Sequence, residues 1–144
     1  KLWETPKWKE LAKALSLKKQ YALFFTGSGE KESKLIFEAF GEIPGENLCD
    51  LLTIEQFASL VRGASAIISI DSFPVHLAAF MNTPVVALYL YNRFTPLWIP
   101  DVDKGVFLVD RNRCSLINFP IEKRIQDLSS IEPSDVLSSL DLLL

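Results

Sequence analysis

Apolar positions along the chain recur at two spacings. In residues 8–15 ("WKELAKAL"), Trp8, Leu11, Ala12 and Leu15 fall at i, i+3, i+4 and i+7, the stripe of an amphipathic helix. A second helix is expected over 32–40, with Leu35, Ile36, Ala39 and Phe40 inward. A third is expected over 54–62, where Thr53 is a good cap and Gln56 stands at the capping-box position. Continuous short apolar runs at 21–26, 66–70, 85–91 and 106–109 read as buried strands. Residues 74–81 form a short helix opened by Pro74, whose missing N–H is not needed in a first turn. The tail "IEPSDVLSSLDLLL" reads as a last helix capped by Ser134, its leucines a packed face. "GEIPGEN" reads as loop, and "YNRFTPLWIPDVDKG" is the longest irregular segment, of a kind that often carries function.

Strands therefore alternate with helices, and the strands are apolar throughout. That pattern predicts an α/β fold: a Rossmann-like parallel sheet covered by helices on both faces. Such sheets bind ligands at the carboxyl ends of their strands. The candidate loops are then 27–30, 71–74 and 92–96.

Composition narrows the partners. The chain has 144 residues, 49% of them apolar, enough for one domain with a substantial core. A formal charge of −3 argues against nucleic acid, which needs a basic face. A small phosphate ligand needs only a few backbone amides. Cys49 and Cys114 show no metal-ligand spacing and, with one histidine in the chain, point to free thiols in a reducing compartment and to no metal site. No apolar run reaches the ~20 residues of a membrane span, and no signal peptide stands out. The chain opens at Lys1 rather than at methionine, so a fragment of something longer is expected.

The single histidine draws attention to "SIDSFPVHLAAFMNTPVVALYLY". Here an apolar strand stops at Asp71 and a helix begins near Pro74. A first helical turn offers N–H groups and the positive end of the dipole to an anion. Asp71 is placed to accept from ligand hydroxyls, Ser72 to donate to a phosphate, and His76 to reach the same anion. The plainer reading is that Asp71 or Ser72 only caps the helix and His76 is a half-buried helix residue. "TGSGE" (26–30) lacks the ending of a Walker loop and is not GxGxxG, which argues against a dinucleotide enzyme. Its functional reading is a loop whose Glu30 faces a ribose or base, and its bland reading is a plain turn. No catalytic pair is evident. Trp3, Trp8 and Trp98 read as core or loop anchors, with Trp98 also able to stack on a ligand.

Taken together, these residues resemble the C-terminal domain of glycosyltransferase family 9, the heptosyltransferases of lipopolysaccharide core synthesis. The family hallmark runs D-[ST]-G-x-x-H-L-A-A, then a proline, then [VI]-A-L-[YF]-G. "DSFPVHLAAFMNTPVVALYL" matches it at Asp71, Ser72, His76, Leu77, Ala78, Ala79, Pro84, Val86, Ala87, Leu88 and Tyr89. Weaker matches follow in the same order: Lys1, Trp3, Trp8 and Leu11, then Gly27 to Glu30, Asn47 and Leu48, "RNRC", and Ile131, Pro133 and Val136.

The resemblance implies one half of a GT-B enzyme, with 1–144 a single nucleotide-sugar-binding domain. The N-terminal acceptor domain, which holds the catalytic base and the lipid-linked glycan, would be absent. So would the first strand, leaving a sheet edge open to self-association. It implies an inverting, metal-free transfer from a nucleotide-sugar, typically ADP-heptose, with no cofactor. The setting would be the cytoplasm, peripheral at the inner membrane. No catalytic residue falls in this fragment. The implied donor contacts are Asp71 to hydroxyls; Ser72, the amides around Phe73, and His76 to the diphosphate; Lys1 to a phosphate; and Glu30 to the nucleotide. Three positions depart from the family: Phe73 and Leu90 replace glycines, and Asp50 stands where glycine is common. They motivate an alternative, a degenerate transferase-like domain serving as a binding or interaction module.

Overall fold

The structure is a computed structural model that describes residues 3–18, 20–90, 94–110 and 128–144. Lys1, Asn92 of the third candidate loop, Cys114 and the "RNRC" segment lie outside the described residues. The chain falls into two compact units, Glu4–Phe57 and Lys1–Trp3 with Ala58–Leu144.

The first unit is a β-α-β arrangement preceded by a helix. α1 (Thr5–Leu17) packs against α2 (Glu30–Phe40), and α2 is the crossover between two parallel strands, β1 (Phe24–Phe25) and β2 (Glu46–Asn47). The predicted stripes face inward: Leu11, Ala12 and Leu15 of α1 and Ile36 and Ala39 of α2 are buried. Phe40 stacks on Phe25 with centroids 4.2 Å apart, and Trp8 meets Phe40 edge-on at 6.3 Å. Two expectations fail here. The strand expected over 21–26 is only two residues long and its Phe24 is exposed, because its partner is equally short. That partner is polar and sits inside the segment read as loop. Glu46–Asn47 carries no apolar signal; backbone pairing alone makes it a strand, through Glu46 N–H to Leu23 C=O and Leu48 N–H to Phe25 C=O.

α3 (Ile54–Gly63) begins as the sequence predicts. Gln56 N–H donates to Thr53 Oγ1 at 3.2 Å, and Thr53 N–H donates to Gln56 Oε1 at 2.9 Å, a reciprocal capping box.

Among the described residues, the second unit is built on three parallel strands in the order β3 (Ile67–Ile70), β4 (Val85–Leu90), β5 (Gly105–Asp110). α4 (Phe73–Phe80) is the crossover from β3 to β4 and packs on both, while α6 (Pro133–Leu143) packs on β4 and β5. Val85, Ala87 and Tyr89 point to one face of β4, Val86 and Leu88 to the other, and all five are buried. Both faces of the central strand are therefore covered, as an apolar parallel strand requires.

α4 ends in a Schellman motif: Asn82 N–H reaches Ala79 C=O and Thr83 N–H reaches Ala78 C=O, with Asn82 left-handed at φ 54°. Ser134 is not the cap of α6. Pro133 opens that helix, so Glu132 takes the cap position, and the Asp135 carboxylate accepts Glu132 N–H at 2.9 Å. The irregular segment also contains a helical turn, α5 (Thr95–Trp98). Among the described residues, no helix is long and apolar enough to cross a membrane.

Candidate functional site

The hallmark residues gather where β3 gives way to α4. The ladder runs one step past β3, with Asp71 N–H donating to Leu88 C=O at 3.0 Å, so Asp71 stands beside Tyr89 at the carboxyl end of the sheet. Ser72 occupies the N-cap of α4 on extended backbone but makes no capping bond with its side chain. Its hydroxyl turns back to donate to Ile70 C=O at 2.9 Å and lies 3.2 Å from Ser69 Oγ. The capping reading therefore fails for Ser72. A hydroxyl engaged with a carbonyl reaches a phosphate only after rotating about its C–O bond.

The first turn of α4 suits an anion. No acidic side chain lies in it, Pro74 is one of its opening residues, and the Ser72 side chain does not cap it. His76 is exposed in that turn rather than half-buried, while Val75 and Ala78 on the opposite side are sealed into the core. Phe73 is the first helical residue, 55% exposed. Its φ is not positive, since among the described non-glycine residues only Asp50 and Asn82 lie in the left-handed region. Phe73 and Leu90 thus replace glycine without backbone strain, and what Phe73 changes is bulk. Asp50 is the departure that does sit in glycine's territory, at φ 58°.

Two residues at this end of the sheet were given no site role by the sequence, Tyr89 entering only as a match to the hallmark and Asp110 not at all. Tyr89 is fully buried, and its hydroxyl donates to Trp98 C=O at 3.1 Å. Burial, aided by the negative charge of Asp71, pushes its pKa up to about 12. Asp110, 1% exposed, ends β5 and accepts Ser130 N–H at 3.3 Å. The available signal was a polar group at or next to the end of an otherwise apolar strand, as Asp71 follows β3. Trp98 is exposed on α5, the turn held by Thr95 Oγ1 donating to Leu90 C=O at 2.9 Å.

The glycine loop belongs to the other unit. It leaves β1 and reaches α2 through Gly29, at φ 87°. Its amides are occupied by carboxylates of the chain itself. Ser28 N–H donates to Glu32 Oε2 at 2.7 Å and Gly29 N–H to Asp50 Oδ1 at 2.8 Å. Glu30 opens α2, exposed, with Glu32 in the same turn. This helix start is set against anions, the reverse of α4. Nearby, burial and then the charge of Asp50 raise the pKa of the Cys49 thiol. Among the described residues, no three His, Cys, Asp or Glu side chains gather to hold a metal ion.

The fold has solved counterparts. A glycosyltransferase family 9 protein from Veillonella parvula DSM 2008 superposes with a TM-score of 0.78 at 20% identity, over 98% of this chain and 41% of that one. The E. coli ADP-heptose LPS heptosyltransferase II gives 0.76 at 27% identity, over 98% and 41%. E. coli heptosyltransferase WaaC, solved with ADP, gives 0.78 at 17% identity, over 99% and 40%. The chain thus spans about two-fifths of the length of each, and shares the fold of part of these GT-B enzymes. No curated protein sequence matches it. The model of glycosyltransferase family 9 (heptosyltransferase) matches residues 1–114, the hallmark block included, and the chain belongs to that family.

Proposed function

We propose that the chain binds the donor of an inverting glycosyltransfer, a nucleotide-activated heptose linked to ADP, in the synthesis of lipopolysaccharide or another surface glycan. The observation that carries this reading is the β3–α4 junction: a first helical turn free of acidic side chains, with Asp71 before it and His76 within it. The E. coli neighbours are described with ADP-heptose and with ADP, which supports the same donor here.

In this reading the diphosphate lies against the first turn of α4, met by its dipole, by the backbone around Phe73, by Ser72 and by His76. Asp71 accepts from hydroxyls of the sugar or ribose. The family resemblance adds Glu30 as a nucleotide contact and Lys1 as a phosphate-neutralising cation. An acceptor oxygen attacks the anomeric carbon as the bond to the distal phosphate breaks, and the electron pair leaves with the nucleoside diphosphate. The negative charge growing on that leaving group is what a helix start and an adjacent imidazole stabilise. The same contacts remove the need for a metal. The resemblance assigns acceptor and base to an N-terminal domain, and residues 1–144 taken alone are expected to bind donor without turning it over.

Calorimetric titration with ADP, UDP and GDP tests the reading, repeated on Asp71→Ala and His76→Ala. One nucleotide, ADP, is expected to bind, and each substitution to weaken it roughly tenfold, as loss of a charge-assisted contact does. A folded chain indifferent to all three nucleotides overturns it.

One observation favours a second reading. Phe73 puts an exposed aromatic ring at the helix start where glycine would let a phosphate approach. A domain that kept the fold as an interaction module would expose such a ring, bind no nucleotide at millimolar concentration, and self-associate or capture a protein in light-scattering experiments.

A further inference from the structure

We propose that Ser69 is a positioning residue of the β3–α4 junction, which keeps the Ile70 carbonyl bonded while the Ser72 hydroxyl turns to a phosphate; this role rests on the donor-binding reading above. Three groups meet at one point. Ser69 Oγ donates to Ile70 C=O at 2.9 Å, and Ser72 Oγ donates to the same carbonyl at 2.9 Å. The two hydroxyl oxygens lie 3.2 Å apart. All of this falls between the end of β3 and the N-cap of α4, inside one unit of the chain.

The strand explains why this carbonyl turns to side chains. β3 gives alternate residues to its ladder with β4. Ile67 N–H donates to Pro84 C=O at 2.8 Å, and Asp71 N–H donates to Leu88 C=O at 3.0 Å. Ile67, Ser69 and Asp71 therefore direct their backbone groups at β4, and Ile70 directs its own away. Among the described residues β3 is the outer strand of its sheet, and Ile70 is half-buried there. An acceptor so placed needs a donor from somewhere other than that ladder.

The proton count leaves one to spare. Each hydroxyl carries a single proton, and one bond is enough to satisfy the carbonyl. With Ser69 in place, Ser72 can swing its proton to a phosphate and Ile70 C=O keeps a hydroxyl. Without Ser69, the same swing strands a half-buried acceptor, and the ligand must bear that cost. Ser69 thus acts through Ser72 and needs no contact with the ligand.

A purely structural serine behaves differently. If Ser69 only bonds the strand end, Ser69→Ala lowers the melting temperature and leaves nucleotide affinity alone. If it frees Ser72, the loss appears in affinity, and only while Ser72 keeps its hydroxyl.

The experiment takes the whole chain with ADP, at a temperature where every variant is folded. Ser69→Ala is expected to weaken ADP about tenfold, the scale of an acceptor left unbonded. Ser69→Thr, which keeps the hydroxyl and suits a strand, is expected to stay within about threefold of the parent chain. In a Ser72→Ala background, adding Ser69→Ala is expected to change ADP affinity by less than about twofold. Melting without nucleotide reads the shared carbonyl by itself. Either hydroxyl covers it, so each single alanine variant is expected to melt close to the parent chain. The double variant is expected to fall by more than the two single shifts together. Melting shifts that merely add overturn the proposal. Equal ADP affinity in the parent chain and Ser69→Ala overturns the positioning role and leaves the donor reading standing, as does a loss that persists undiminished without the Ser72 hydroxyl. A parent chain that ignores ADP while its melting shows the shared carbonyl overturns the donor reading, and the positioning role falls with it.

Discussion

The hydroxyl of Tyr89 reaches the carbonyl of Trp98 at 3.1 Å, so the end of β4 and the helical turn that follows it are tied by a side chain rather than by backbone alone. With Thr95 Oγ1 on Leu90 C=O, this bond fixes α5 next to the strand end that Asp71 also occupies. Tyr89→Phe keeps the ring, and its edge contact with Phe107 at 6.0 Å, while removing the donor. A loss of about 1 kcal/mol in urea denaturation is expected.

The same residue predicts an alkaline limit. Its folded pKa of about 12 lies above the ordinary tyrosine value of about 10. The folded chain therefore holds the phenolic proton more tightly than the unfolded chain. That stability is whole below about pH 10 and is lost as pH rises toward 12. The gap in unfolding free energy between the parent chain and Tyr89→Phe should narrow between about pH 10 and about pH 12. A gap constant over that range would refute the assignment.

Thr83 carries a buried obligation. Its Oγ1 donates to Val61 C=O at 3.0 Å, and both residues are buried. Thr83→Val conserves shape and leaves the carbonyl without that donor. The expected cost is about 1–3 kcal/mol, whereas Thr83→Ser should retain most of the stability. Thermal melting of the two variants checks the ordering.

Asn82 holds the left-handed position that closes α4, at φ 54°. Asn82→Gly is expected to be neutral or stabilising by up to about 1 kcal/mol, and Asn82→Ala to lose about 1 kcal/mol. Denaturant midpoints read both directly, and an Ala variant as stable as the Gly variant would remove the backbone argument.

What the sequence shows depends on where the governing interaction lies. The capping box of Thr53 and Gln56, the proline start of α4 and the inward stripe of α1 are local, encoded within one helical turn or two, and were legible. β2 was not, because Glu46–Asn47 is a strand only by virtue of its pairing with β1. α5 was hidden for a related reason: Thr95 and Trp98 take their partners from β4. At the site, Asp71, Ser72, Phe73 and His76 fall together because they are contiguous on one junction. The meaning of the lost glycines was beyond a string of letters. Only backbone geometry separates Phe73 and Leu90, which need no left-handed φ, from Asp50, which does.

β4 has a consequence for how the molecule opens. It is paired with β3 on one side and β5 on the other, and five successive residues of it are buried. A strand in that position cannot give up its amide protons by local fraying; exchange with solvent requires the whole three-stranded sheet to separate. Asp71 lies just past the end of the β3 ladder, attached to this strand at Leu88, and Ser72 follows it. The junction that meets a ligand is therefore mounted on the last part of its unit to unfold.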